Sequence, residues 1–284
     1  MNRPRVGHIG FLNVLPLTYS YRKNFIDEIA LTDSVPAVVN EMMKKNLLDV
    51  SLMSSIEYAR QSKNLVMLPN FCIRADEDVT SIILTSRKPI EKLDGEKISI
   101  TAKSATAHCL LKIILREGYK ISPVYDVENL SVEKLIPENS AAALFIGDDA
   151  LQIFLHKSEK FFYYDLGREW KKLTGKQMVY AVFAAQKNFA ENSPELLKSV
   201  YEKISQGFDY GLKNKIAAIN SVINEKNFTF DELDNYLGNV IKWNLTDEGI
   251  DALKTFYKLA NKINLLDEVP NIVMKKFVNE QNIL

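Results

Sequence analysis

Four times in this chain an apolar run of β character stops at a small or polar residue and resumes as a helix. The most informative case is RVGHIGFLNVLP, residues 5–16. There Val6 and Ile9 read as strand, Gly10 breaks the run, and Asn13 stands where a helix with an apolar face begins. The handover recurs at Ser54-Ser55, at Ser104-Ala105-Thr106 and, more weakly, at Gly147-Asp148-Asp149. Repeated strand–turn–helix units predict an open α/β sheet, in which ligands gather outside the carboxyl ends of strands, beside helix N-termini. These junctions are therefore expected to line one cleft.

The rest of the pattern extends this expectation. Strands are predicted over residues 5–11, 28–34, 50–53 and 65–74, with helices starting near Val14, Ala37 and Ser55. In AVVNEMMKKNLLD the spacing of Val38, Met42 and Leu48 predicts an amphipathic helix with lysines opposite. DVTSIILTSRKP reads as a strand ending at Pro89, and the turn Asp94-Gly95 opens a second βα series: KISITA, a helix over 104–117, SPVYDV, AAALFIG and the apolar strand MVYAVFAAQKN. From Ser193 onward the pattern is helical, with cap signals at Ser193, at Thr229 three before Glu232, and at Thr246. One βα lobe, a crossing near 85–89, a second lobe and a return near 184–187 predict a two-lobed clamp with a hinge and a central ligand cleft. Lobe 1 would comprise 1–87 plus 187–284, and lobe 2 residues 88–186. This α/β layout is that of type II periplasmic-binding-protein folds.

Length and charge narrow the function. A chain of 284 residues can bury a large core in two lobes. Its 36 basic and 36 acidic residues balance, so nothing favours nucleic acid or an anionic membrane as partner. Uncharged apolar runs of about eighteen residues, the mark of a membrane-spanning helix, do not occur. The start MNRPRVGHIG lacks an apolar leader, so the expected location is the cytoplasm. The two cysteines, Cys72 and Cys109, and the three histidines, His8, His108 and His156, show no metal-ligand spacing. No metal is expected, and both thiols are expected to be buried.

The chemistry must then come from hydroxyls, amides and helix ends. Ser54, Ser55, Ser104 and Thr106 bring hydroxyls to helix N-termini, which suits a carboxylate or phosphate, although the same residues routinely cap helices. Asp148 and Asp149 are expected to cap a helix or contact the other lobe rather than catalyse. His108, two residues after Thr106, is a candidate base without an evident acid partner. Arg74, Arg87 and Arg168 are candidate anion partners. No P-loop, dinucleotide fingerprint, nucleophile elbow or catalytic triad order is present. The residues alone place nucleotide cofactors and common hydrolases behind a two-lobed protein that closes on a small organic anion.

The runs HIGFLNVLPL, LLDVSLMSSIEYAR, TSIILTSRKPIEKLDG, TAKSATAHCLLKIIL, ALFIGDDAL and YDLGREWKKLTGK, in order over residues 5–187, resemble the chorismate dehydratase family. That family opens the futalosine route to menaquinone. The resemblance implies a type II periplasmic-binding-protein fold, and loss of water from chorismate to give 3-[(1-carboxyvinyl)oxy]benzoate. It also implies no cofactor, and a site where Asn13 and Ser81 meet a substrate carboxylate. By the same resemblance Ser54, Ser55, Ser104 and Thr106 become anion donors and Asp148 a hydroxyl partner. The base would be a substrate carboxylate, with His108 second. The chain has Phe11 and Val14 where Tyr and Thr are common in relatives, so a hydroxyl at position 11 is lost. Two rivals remain open. The related 1,4-dihydroxy-6-naphthoate synthase usually shows a Ser-Pro-Cys-Pro-Asn-Asp-like start, which is absent here; a non-catalytic solute-binding or sensor protein would share the fold.

Overall fold

Apolar runs short enough to be strands, separated by amphipathic helices, assemble into a six-stranded and a five-stranded sheet in the computed structural model, which describes residues 3–277. In chain order the strands are β1 (Arg5–Ile9), β2 (Ala30–Ser34), β3 (Val50–Ser54), β4 (Leu65–Ala75), β5 (Ile82–Ser86), β6 (Lys97–Thr101), β7 (Val124–Glu128), β8 (Ala142–Ile146), β9 (Phe162–Asp165), β10 (Met178–Gln186) and β11 (Lys242–Asn244). The first sheet has the order β11-β4-β10-β3-β1-β2 and the second β7-β6-β8-β5-β9. Strand β1 runs parallel to β2 and β3, and β10 antiparallel to β3. In the second sheet β6 is parallel to β7 and β8, while β5 is antiparallel to both β8 and β9. The central strands β3, β5 and β8 are buried at every position, which is why VSLMS, IILTS and AALFI read as continuous rather than alternating runs. Edge strand β7 instead leaves Val124 and Val127 exposed.

Two compact units result. The second comprises Arg74–Tyr180 and Asp247–Val269, and the remainder of the described chain forms the first. The first unit is anchored by Phe71, Phe183 and Phe208, with Phe71 and Phe208 stacked at 5.3 Å between ring centroids. Helix Leu15–Arg22 lies against helix Pro194–Lys213, and only a glycine fits the contact: a Cβ at Gly211 would stand 2.0 Å from the Pro16 carbonyl oxygen. That contact sets where the helix after β1 begins. In the second unit the fully buried Trp170 meets Phe256 edge-on at 5.9 Å, tying helix Leu166–Thr174 to helix Asp247–Lys262. Burying a ring of this size stabilises by roughly 1.5–3 kcal/mol.

These boundaries differ from the expected 88–186 for physical reasons. Strand β5 pairs with β8 and β9 and so belongs to the second unit, and Trp170 draws in residues 247–262 from far along the chain. The chain changes unit inside the continuous strands β4 and β10. Strand β9 lies outside the expected set, and β11 interrupts the tail expected to be all helix. Helix Pro36–Lys44 buries Val39, Asn40 and Met43 and exposes Val38, a face turned by one residue from the apolar reading. The cause is Asn40, whose amide is drawn inward by hydrogen bonds to Ser54. The Thr229–Glu232 capping box forms, whereas Ser193 precedes its helix without a side-chain cap. Both cysteines are buried, and they do not form a disulfide with one another. No described helix is long and apolar enough to cross a membrane.

Candidate functional site

In the first unit the register Gly7↔Ser51 places the end of β1 level with the end of β3, so the Asn13 turn and Ser54-Ser55 share one end of the sheet. Residues Leu12–Val14 form a single 3-10 turn, and Pro16 in the first turn of helix Leu15–Arg22 favours the start there. Leu12 and Val14 are buried, which fixes the turn and leaves Asn13 between them half-buried. The Asn13 carbonyl accepts from Trp243 Nε1 at 2.7 Å. Among the described residues nothing hydrogen-bonds its side-chain amide. Beneath the turn, Thr18 Oγ1 donates to the Val14 carbonyl at 3.1 Å and is 2.8 Å from His8 Nε2, so the imidazole must be the donor. Burial, with Arg22 nearby, pushes His8 down to about 4, keeping this brace neutral. Val14 has no exposed surface.

Ser54 does not cap the helix that follows it. Its hydroxyl accepts from Asn40 Nδ2 at 3.0 Å and its N–H donates to Asn40 Oδ1 at 3.1 Å. The hydroxyl still has its own proton to give. Ser55, at the start of helix Ser55–Gln61, is fully buried.

In the second unit three registers converge. Ile82 faces Ile146, Ile100 faces Leu144, and Ile83 faces Asp165. The start of β5 therefore shares one end of the sheet with the carboxyl ends of β6, β8 and β9. Ser81, Ser104, Thr106 and Asp148 all lie at that end. Ser81, just before β5, is buried; its Oγ donates to the Val79 carbonyl at 3.2 Å and its carbonyl accepts from Gly147 N at 2.8 Å. Ser104 caps helix Ala105–Ile113 by accepting from Ala107 N at 3.3 Å, and Thr106 is buried in its first turn. Asp148 and Asp149 occupy the first turn of helix Gly147–Leu155, where acids complement the helix dipole, but the N-cap is Ile146 with no side-chain bond, so the side-chain cap expected of them is corrected. Asp149 pairs instead with Lys103 at 2.8 Å. His108 Nε2 stands 2.5 Å from the Thr101 carbonyl oxygen, so that nitrogen carries the proton.

The arginines proposed as anion partners are engaged within the second unit. Arg74 binds Asp76 and Gln177, Arg87 donates to the Ser140 and Ile136 carbonyls, and Arg168 grips Asp78 through two nitrogens. Among the described residues no group of three or more His, Cys, Asp or Glu is placed to hold a metal.

The sequence reading missed Asp165. Its carboxylate, buried at the end of β9, accepts from Val79 N and Thr80 N, at 3.1 and 2.6 Å, and from Gly167 N and Arg168 N, at 2.8 and 3.2 Å. Burial pushes it up to about 6, against the backbone N–H groups that favour the charged form. An Asp followed by Leu-Gly-Arg is an N-cap signal, and the paired tyrosines before it a strand signal, so both were available in YYDLGR.

A model of the menaquinone biosynthesis family matches residues 4–262. Over 144 residues the chain is 28% identical to a protein of Thermus thermophilus named chorismate dehydratase, an overlap of 51% of this chain and 50% of that one. The chain thus matches about half the length of this curated relative. Among solved structures it is similar to protein AF1704 from Archaeoglobus fulgidus, with a TM-score of 0.76 at 15% identity, covering 92% of this chain and 98% of that one. It is similar also to the periplasmic aliphatic sulphonate binding protein SsuA from Escherichia coli, with a TM-score of 0.65 at 13% identity, covering 99% and 96%. Likeness at these identities shows the fold: an α/β fold of the periplasmic-binding-protein kind, as the order of strands and helices predicted.

Proposed function

The chain belongs to the menaquinone biosynthesis family, and from that premise we propose that it is a chorismate dehydratase acting in the futalosine route, in the cytoplasm and without a cofactor. The reaction removes a proton from C3 of chorismate. The C–H electron pair moves into the ring as a dienolate whose charge rests on the ring carboxylate. That charge then expels the 4-hydroxyl, which takes up a proton and leaves as water, and 3-[(1-carboxyvinyl)oxy]benzoate remains. Aromatisation supplies most of the driving force. The protein's task is to hold a dianion, stabilise the developing charge and exclude water.

The observation that carries this reading is the unspent side-chain amide of Asn13, raised on a braced turn at the end of β1 in a chain with a relative of that name. Asn13 and Ser81 are assigned to a substrate carboxylate. Ser54, Ser55, Ser104 and Thr106 are assigned as further donors, and Asp148 as partner of the departing hydroxyl. The enolpyruvyl carboxylate of chorismate takes the C3 proton, the protein fixing the conformer that permits it. His108 ranks second as base, because its Nε2 proton is committed to Thr101 and only Nδ1 would serve.

Chorismate deuterated at C3 tests the assignment. The product expected by mass spectrometry has lost HDO and carries no deuterium; a product retaining the label, or none, contradicts it. A second reading, binding of a small organic anion without turnover, is favoured by the likeness to a sulphonate binding protein. It predicts saturable binding with chorismate recovered intact.

A further inference from the structure

The geometry points to Asp165 as a positioning residue, one that holds the Val79-Thr80-Ser81 turn in the shape that presents Ser81 to substrate. The inference rests on the reading in which Ser81 contacts chorismate.

Three ties fasten the start of helix Leu166–Thr174 to the segment before β5. The Asp165 carboxylate accepts from the N–H groups of Val79 and Thr80 while also accepting from Gly167 and Arg168. Arg168 pairs with Asp78 through two nitrogens. The backbone at Gly167 lies so near that a Cβ there would be 2.3 Å from the Glu77 carbonyl oxygen. Each tie ends within four residues of Ser81.

The turn would not adopt this shape by itself. Thr80 is β-branched yet sits at a φ of 56°, in the left-handed region such residues avoid. Its hydroxyl is buried without a hydrogen-bond partner, a second unfavourable feature. Strain of this kind persists only where surrounding structure imposes it, and it gathers where a side chain must be aimed. The residue imposing it is Asp165, which bonds the N–H of Thr80 itself at 2.6 Å, the shortest of its contacts to this turn.

Only the ionised carboxylate serves both segments, since it has acceptors on both oxygens and no proton to point at an N–H. Asparagine keeps one acceptor oxygen and turns an NH2 toward one of the two segments. The charged groups facing Asp165 are Asp78, Arg168 and Lys157. Burial and Asp78 favour its protonation, so the brace is expected to fail as pH falls through about 6.

The test is steady-state turnover of chorismate between pH 5 and 8 by the wild-type chain, Asp165→Asn, Thr80→Gly and the double variant. Asp165→Asn is expected to lower kcat by about 30-fold with KM within about threefold, and to lack the acid limb near pH 6 expected of wild type. Glycine is at ease at positive φ, so Thr80→Gly in the Asp165→Asn background is expected to recover at least about fivefold in kcat. Wild-type kcat and an unchanged acid limb in Asp165→Asn would overturn the positioning role while leaving the dehydratase reading intact. No turnover by wild type would sink both. Should Asp165→Asn fail to fold, the wild-type profile decides: an acid limb that is absent from the residual activity of Ser81→Ala supports the role, and a flat wild-type profile overturns it.

Discussion

The turns that carry Asn13 and Ser81 are braced from behind by groups of opposite chemistry. Under Asn13 a neutral imidazole, His8, donates to Thr18, which donates to the Val14 carbonyl; the turn passes smoothly from an extended Phe11 into helix. Under Ser81 a buried carboxylate gathers N–H groups from two segments and holds Thr80 in a conformation that its side chain opposes. The amide at the first turn needs only a helix start with one residue left uncovered. The hydroxyl at the second precedes a strand, where no helical N–H ladder shapes the backbone, so a charged group from a neighbouring strand end does so. The contrast teaches that presenting one polar side chain has a low-strain solution at a strand-to-helix turn and a strained one at a strand entrance.

The largest effect expected is on turnover. Asn13→Ala and Ser81→Ala should each lower kcat by about 100-fold or more, the scale of removing one preorganised donor. Steady-state kinetics with chorismate measure it, and near-normal rates in one variant only would show that the two turns do not share the task.

Next in size are stability changes of opposite sign between pH 4 and 6.5. His8 is pushed down to about 4 when folded, so the unfolded chain binds the proton first as pH falls below its ordinary 6.5. The first unit should lose up to ~3 kcal/mol over that window. Asp165 is pushed up to about 6 from an ordinary 3.8, so the folded chain binds the proton first. Its contribution is fully present below pH 3.8 and disappears as pH rises through 6, a change of up to ~3 kcal/mol in the second unit. Hydrogen exchange, followed separately at the amides of β1 and of β5, reads the two slopes. Parallel slopes would erase the distinction between the braces.

Two glycines abut the segments on which these turns rest. Gly211→Ala would set a Cβ 2.0 Å from the Pro16 oxygen, and Gly167→Ala one 2.3 Å from the Glu77 oxygen. Each is backbone that cannot swing aside, so each variant should lose about 2–3 kcal/mol in urea unfolding. Loss below ~1 kcal/mol at Gly167 would mean that the segment before Ser81 is free to shift.

How much of this was legible in the chain depends on how local the cause is. Gly10 and Asn13 could be read as a strand-to-helix turn because the break, the amide and the helix-starting Pro16 lie within seven residues. The apolar runs of β3, β5 and β8 announce buried central strands for the same reason. Helix Pro36–Lys44 misled, because Asn40 reads as solvent-facing until Ser54, fourteen residues on, takes its amide. Asp165 lay further out of reach: its partners Val79 and Thr80 are more than eighty residues earlier, and only the pairing of β5 with β9 brings them together. The membership of 247–262 in the second unit likewise rests on the distant Trp170.

The smallest effect expected is at Trp243. Trp243→Phe removes the indole N–H that reaches the Asn13 carbonyl and keeps the ring, so it should cost ~1 kcal/mol in stability and less than about tenfold in kcat. A loss as large as that of Asn13→Ala would mean that the first turn, like the second, depends on an imposed shape.

The most direct measurement is a time course of purified protein with unlabelled chorismate, followed by chromatography, mass and ultraviolet spectrum. The expected product is lighter by one water and has the absorption of a 3-alkoxybenzoate, formed by the wild-type chain and nearly absent with Asn13→Ala and with Ser81→Ala. Chorismate recovered unchanged from the wild-type protein would rule out the dehydratase.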